Sequence, residues 1–264
     1  MIENPKISVI MSVYNSASFV SSSIQSILDQ TFNDFEFLIY NDGSTDTTLE
    51  LLKSFRDSDK RITVISSRQN IGLTKSLNKL VQASKGNILA RQDADDISFP
   101  DRLKIQYGKL ISHNLDAIYS RAVRINSKTK IPGISHYLPK KILIKYKNPY
   151  IHGTLLIKKE VLKEIGYYNE KFYYSQDYKL MSDLLNENFK IKIYKEPLYY
   201  LNMKGNISIN QKEDQKYYAD CVRKKIKPVK RKTIEFGMKL LTSTPSWASD
   251  KILTFYLNKI RQSR

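Results

Sequence analysis

Several residue types are scarce in this chain, and each scarcity closes off a class of protein. One cysteine, Cys221, in 264 residues excludes a disulfide scaffold and a cysteine-built zinc site. Three histidines, His113, His136 and His152, leave little for a histidine-rich metal centre. Nine glycines and eight prolines are too few for a collagenous or low-complexity chain. No apolar run reaches about 18 residues, so nothing reads as a membrane span. The opening residues, Met-Ile-Glu-Asn-Pro-Lys, lack the basic-then-apolar order of a secretion signal, and a reducing cytoplasm is the expected compartment. Neither Gly-x-Gly-x-x-Gly after the first strand nor a Gly-Lys-Ser/Thr loop is present, which counts against a dinucleotide fold and a phosphate-binding-loop ATPase.

What remains has the composition of a globular protein, 41% apolar and 27% charged, long enough for one large domain or a domain with an appendage. The net charge of +18 is uneven. Residues 1–100 sum to −2, residues 101–203 to +10, and residues 204–264 to +10 in a much shorter stretch. The first hundred residues therefore carry no electrostatic footprint for nucleic acid, and the tail is the candidate for an anionic partner.

Ile7 to Val13 and Phe35 to Tyr40 read as buried strands, followed by strands at Ile62 to Ile65 and Asn87 to Arg91. Helical spacing between them predicts helices over 18–29, 46–55 and 72–83, the last ended by Gly86. Such alternation predicts an α/β fold, a mostly parallel sheet with helices on both faces. Ligands then bind beyond the carboxyl ends of the strands, where this chain carries Ser12-Val13-Tyr14-Asn15, Asn41-Asp42 and Asp93-Ala94-Asp95-Asp96. The next hundred residues are less regular, with a strand over 117–125, helices over 159–165 and 177–188, and strands in 190–201.

Three aspartates in four residues after a buried strand suit a hard divalent ion that also takes phosphate oxygens; the plain alternative is that they cap the helix starting near Pro100. Lys75 and Arg68 are candidates to meet a diphosphate, or are surface charge. Asp177 reads as a general base or as a helix-start cap. His152 reads as an acceptor or phosphate contact, or as a structural histidine, and Gln176 is a second candidate for such a contact.

The motifs Ile-Ser-Val-Ile-Met-Ser-Val-Tyr-Asn (7–15), Asn-Asp-Gly-Ser-Thr-Asp (41–46), Asn-Ile-Gly (70–72), Asp-Ala-Asp-Asp (93–96) and Ser-Gln-Asp-Tyr-Lys-Leu (175–180) come in an order and spacing that resembles family 2 glycosyltransferases with the GT-A fold, over about residues 5–205. The resemblance implies an inverting transfer of a sugar from a nucleotide-diphosphate donor, a UDP-sugar first, to a glycan or lipid-linked acceptor in surface polysaccharide or glycoconjugate synthesis. It places Ser12 and Tyr14 in the nucleotide pocket, Asp42 on the base, Lys75 near the nucleotide, and Asp93 on the ribose or sharing the metal. Asp95 would hold Mn2+ or Mg2+, and Asp177 would be the base. Asn41 stands where the family usually has an aspartate, leaving Asp42 as the acid there, and Gln176 where it usually has a glutamate, so proton transfer rests on Asp177 alone.

The expected organisation is a catalytic domain over 1–205, its nucleotide-binding part about 1–100 and its acceptor part about 101–205. A basic helical extension follows over 206–264. In that extension Leu253, Tyr256, Leu257 and Ile260 repeat at helical spacing beside Lys251, Lys259, Arg261 and Arg264, with Trp247 upstream. Such a helix suits an anionic membrane surface, bound peripherally through residues 222–264, or packs on the catalytic domain or on a second copy in a homodimer. Two other functions compete: a sugar nucleotidyltransferase, which usually has a glycine-rich first loop, and a non-catalytic nucleic-acid-binding protein, suggested by the net charge alone.

Overall fold

The computed structural model describes residues 4–125, 127–133, 138–202 and 211–229. The chain divides into two compact units, 1–225 and 226–264. Only 226–229 of the second are described, so the basic helix expected near the C-terminus lies outside the described residues.

Four strands, β1 (Ile7–Val13), β2 (Phe35–Asp42), β3 (Ile62–Ser67) and β4 (Ile88–Arg91), form the parallel half of the sheet in the order β3-β2-β1-β4. Helices α1 (Val20–Leu28), α2 (Thr48–Ser58) and α3 (Leu73–Ala83) connect them. β1 is apolar at almost every position because both of its faces are covered. Ile7, Val9, Met11 and Val13 point to one layer, where they meet Val20, Ile24 and Ile27 of α1, Leu52 of α2, and Leu103 and Leu110 of α4 (Arg102–Ser112). Ile10 points to the other layer, with Leu77, Leu80 and Val81 of α3. α3 begins at Gly72 without a side-chain cap. Its three buried aliphatic residues, worth roughly 1.5–3 kcal/mol each, outweigh a missing cap of about 1 kcal/mol, so packing holds this helix.

The second half of the sheet is mixed. β8 (Leu156–Lys158) runs antiparallel to both β4 and β6 (Ala117–Arg124), and so joins the two halves. β9 (Ile191–Leu201) lies parallel to β6 and carries the short β5 (Ile97–Ser98) on its outer edge, while β7 (Lys130–Ile131) pairs with β6. Helices α6 (Lys159–Glu164) and α7 (Gln176–Asn186) complete the α3 layer through Val161, Leu162, Leu180, Met181 and Leu184. The short α5 (Lys140–Leu143) precedes them in the chain.

The compact unit extends past the expected boundary at 205. Helix α8 (Lys212–Lys224) buries Tyr218, Cys221 and Val222 against Phe172 and Tyr178, so Cys221 is a buried free thiol acting as a small apolar side chain. Among the described residues no helix is long and apolar enough to cross a membrane.

Candidate active site

The carboxyl ends of β2, β1 and β4 form one rim, with β1 at the point where the strand order reverses. In the sheet register Val13 lies opposite Asn41, and Ile10 opposite Arg91. Asp42 is therefore level with Tyr14, and Asp93 with Ser12. At about 4.8 Å between strands, Asp42 and Asp93 mark the two ends of a rim about 10 Å wide.

The loops after β1 and β2 are tied together. Asn15, in a left-handed conformation at φ 46, accepts the Thr45 N–H on its Oδ1 at 2.8 Å and donates its own N–H to Ser44 Oγ at 3.1 Å. Asp46 accepts the Ala17 N–H at 3.2 Å and the Thr48 N–H at 3.1 Å. Asp42 is buried, and its two oxygens accept the N–H groups of Ile71 (2.8 Å) and Gly72 (2.9 Å). It thereby fixes the start of α3. Gly72 sits at φ 90 with the Tyr173 ring against it; a Cβ there would meet the ring at 2.7 Å.

The acidic loop after β4 is held from several directions. Arg91, 2% exposed, donates to Asp93 Oδ1 at 2.6 Å. Asp93 donates its N–H to Tyr199 Oη at 3.0 Å, and its carbonyl accepts the Ser23 hydroxyl at 2.7 Å. Asp96 is buried and accepts the Asn202 N–H at 2.7 Å, so it anchors the end of β9. Burial, with the negative charges of Asp93 and Asp95 behind it, raises its carboxyl well above the ordinary range. Asp95, half-buried, is pushed up to about 6 by burial and by the Asp93 charge. None of the three caps α4, whose N-cap position is Asp101; the capping alternative fails for this cluster. Arg102 lies buried beneath, donating to the carbonyls of Arg91 (2.9 Å) and Gly153 (2.8 Å). Burial lowers it to about 10, so it stays charged.

Asp177 closes the other side. It lies in the first turn of α7, where the helix dipole favours a carboxylate. Its Oδ2 accepts the Asn148 Nδ2–H at 2.8 Å. Asn148 is itself oriented: its Oδ1 accepts the Tyr150 N–H at 3.1 Å, which leaves the amide nitrogen to face the carboxylate. Burial raises the Asp177 carboxyl, the Asn148 hydrogen bond opposes that rise, and the charge of Asp93 adds to it. Asp93 and Asp177 also act together on Tyr168. The acidic loop and the start of α7 are thus within electrostatic reach of each other. The Tyr168 hydroxyl meets His152 Nε2 at 2.9 Å. Burial and the Arg91 charge push His152 down to about 3, so it is neutral at pH 7.

Carboxylates on a loop beyond the ends of a parallel sheet, with a further carboxylate at a helix start, are the kind of groups a transfer reaction can use. The sequence profile of Glycosyl transferase family 2 matches residues 8–171. The chain belongs to that family. The O-antigen biosynthesis glycosyltransferase WbnJ of Escherichia coli is 34% identical, over 86% of this chain and 91% of its own. An uncharacterized glycosyltransferase of Methanocaldococcus jannaschii is 31% identical over 82% and 78%. Among solved structures, S. aureus TarS 1–349 in complex with UDP-GlcNAc superposes with a TM-score of 0.69 at 20% identity, covering 96% of this chain and 72% of that one. The mannosyltransferase PcManGT from Pyrobaculum calidifontis, in complex with GDP-Man and Mn2+, gives 0.64 at 16% identity over 81% and 62%. These likenesses establish the GT-A fold. The protein is a glycosyltransferase, which displaces both a sugar nucleotidyltransferase and a non-catalytic nucleic-acid-binding protein as the reading of this chain.

In this glycosyltransferase the Asp93 charge reaches Asp95, Asp177 and His152. Ser12 is half-buried and Tyr14 is 48% exposed, both on the rim. Lys75 and Arg68 are exposed, Lys75 in the first turn of α3. Gln176 opens α7 beside Ser175, which adopts a left-handed φ of 52 and donates to the Gln215 carbonyl of α8 at 3.0 Å. Sequence reasoning missed Arg91, Arg102, Asn148, Tyr168 and Tyr199. A lone arginine at the end of an apolar strand, just before Gln92-Asp93, was a usable signal for Arg91. Asn148, between Lys147 and Pro149, carries none.

Proposed function

We propose that this glycosyltransferase moves a sugar, with inversion, from a UDP-sugar to a glycan or lipid-linked acceptor in the synthesis of a surface polysaccharide. The observation that carries the reading is Asp177, oriented by Asn148 and within reach of the Asp93 charge. The acceptor hydroxyl gives its proton to Asp177 as it attacks the anomeric carbon from the face opposite the leaving diphosphate. Asp42 keeps lone pairs beyond the two that bind Ile71 and Gly72, enough to accept from the N–H of a uracil ring. Ser12 and Tyr14 flank the nucleotide, and Lys75 lies toward its phosphates.

The donor set suits a divalent cation. Asp95 is a carboxylate whose ionised form is opposed by burial and by Asp93, so positive charge is favourable beside it. A hard divalent ion can take only one or two protein ligands and complete its shell with phosphates and water. Asp95 and Asp93 would hold Mn2+ or Mg2+, which would stabilise the charge on the leaving diphosphate. Arg91 already pairs one oxygen of Asp93, which makes Asp95 the principal ligand. The UDP-GlcNAc complex of TarS and the O-antigen role of WbnJ support the donor and the product class; the GDP-Man and Mn2+ complex of PcManGT supports the metal.

The test is a thermal-shift panel of UDP- and GDP-sugars with and without Mn2+, combined with Asp177→Asn. Metal-dependent stabilisation by UDP-sugars is expected, and the variant keeps that response while losing transfer. Stabilisation by GDP-sugars alone overturns the uridine assignment, and normal turnover by the variant overturns the base.

A further inference from the structure

The segment 138–147, Leu-Pro-Lys-Lys-Ile-Leu-Ile-Lys-Tyr-Lys, has two apolar sides where a surface turn normally has one. Helical hydrogen bonds run through it, from Ile142 N–H to the Pro139 carbonyl at 3.1 Å as far as Lys147 N–H to the Leu143 carbonyl at 3.0 Å. One side is used by the fold: Leu143 is buried, and Ile144 packs between the core and the α8 cluster. The other side is Ile142 and Tyr146, four apart on the helical turns, with Leu138 just ahead of the Pro139 cap. Leu138, Ile142 and Tyr146 are 49%, 57% and 71% exposed, and the last two are the most exposed large apolar side chains among the described residues. Nothing in the core needs them.

The segment carries four lysines, Lys140, Lys141, Lys145 and Lys147, and no acidic residue. Its backbone is pinned in place: the Tyr178 hydroxyl donates to the Ile144 carbonyl at 2.5 Å, and Arg223 of α8 to the Tyr146 carbonyl at 3.1 Å. Lys224 of α8 adds exposed positive charge, while Arg223 is paired with Asp220. The segment runs directly into Asn148, the partner of Asp177.

We propose that this face of residues 138–147 docks on an anionic lipid bilayer. Leu138, Ile142 and Tyr146 enter the interface and Lys145 and Lys147 meet the headgroups. The combination selects the occupant. A soluble polyanion rewards the lysines and leaves three apolar side chains in water. A bilayer rewards both, since apolar insertion and headgroup attraction add, and tyrosine is favoured at that depth. Docking here sets the mouth of the site, at Asn148 and Asp177, against the membrane, where a lipid-linked acceptor is presented. The purpose rests on the acceptor of the proposed function; the docking itself does not.

The test is flotation of the full 264-residue chain with vesicles of phosphatidylcholine alone and of phosphatidylcholine with phosphatidylglycerol. The wild type is expected to float with the anionic vesicles, less in high salt, and not with the neutral ones. Ile142→Glu combined with Tyr146→Glu should cut the bound fraction roughly tenfold or more, and Ile142→Gln with Tyr146→Gln should cut it without a change of charge. Both side chains are exposed, so each variant should melt with the wild type and keep its stabilisation by nucleotide-sugar. Flotation of the variants equal to the wild type, or no flotation of the wild type, overturns the proposal. So does a wild-type dimer that the substitutions dissociate while flotation persists, because the face then belongs to a second copy. Flotation that is lost as expected in a protein that binds no UDP-sugar faults the donor reading and leaves the docking surface standing.

Discussion

Asn148→Ala isolates what the Asn148–Asp177 contact does for catalysis. The substitution removes one donor, at 2.8 Å from Asp177 Oδ2, and leaves α7 and its dipole untouched. A hydrogen bond to a charged group contributes about 1.5–3 kcal/mol, so the transfer step should slow by roughly 10- to 100-fold. The same donor favours the ionised carboxylate and opposes the rise caused by burial. Without it, Asp177 holds its proton to higher pH, and the acid limb of kcat should move up by about one unit for each 1.4 kcal/mol lost. Asn148→Asp keeps an acceptor for the Tyr150 N–H but sets a second carboxylate against the base, and should be slower still. Initial rates of nucleoside diphosphate release from pH 5 to 9 report both quantities, and the KM for donor should hold. A kcat within twofold of wild type with an unmoved acid limb refutes the assignment. A loss confined to donor KM refutes it differently, by placing Asn148 with the nucleotide.

Two further predictions concern the floor of the cleft. A Cβ on Gly153 would meet Asp93 Oδ2 at 2.6 Å and crowd the Tyr199 hydroxyl; Gly153→Ala should cost about 1–3 kcal/mol in urea unfolding and weaken metal-dependent stabilisation by donor, and a variant with wild-type stability and activity would show that this close approach is dispensable. His152 is held near 3, below its ordinary 6.5, so the folded state binds fewer protons than the unfolded one between these values and stability falls as pH drops below 6.5. At pH 5 the loss is about 2 kcal/mol. Asp95, raised to about 6, acts in the opposite sense over 3.8 to 6, but equally in wild type and His152→Gln. The variant should therefore lose about 2 kcal/mol less than wild type between pH 7 and pH 5; equal losses would show that the imidazole titrates normally.

The parallel half of the fold was readable because its signals are local. β1 was expected at Ile7 to Val13 and is found there, and α3 was expected over 72–83 and spans Leu73–Ala83. β2 and β3 run two residues longer than expected, to Asp42 and Ser67, because polar residues at strand ends continue the ladder where a neighbouring strand is long enough to pair with them. β8 went unrecognised as a strand. Its three residues, Leu-Ile-Lys, are too short to show a period of two, yet they join the two halves of the sheet. Helix α8 lay in a polar, basic stretch read as an extension, and only the placement of Tyr218, Cys221 and Val222 against Phe172 and Tyr178 shows that it belongs to the catalytic unit.

The site divides along the same line. Acidic groups at strand ends and at a helix start are visible in sequence because aspartates there are costly without a purpose. What holds them is invisible, because the partners are far away in the chain. Asp42 is met by the amides of residues 71 and 72, and Asp177 by Asn148. Asp93 and Asp96 are each met from 106 residues away, by the Tyr199 hydroxyl and the Asn202 amide of the β9 end. The acidic loop is thus secured by a strand that begins twenty residues beyond the family profile, which ends at 171. The recurrent motifs can supply the carboxylates, but their positions depend on a segment outside the matched region. In this glycosyltransferase the geometry of the acidic loop is therefore a property of the whole sheet, and a chain that kept every matched residue while losing β9 would keep the carboxylates without the arrangement that makes them a site.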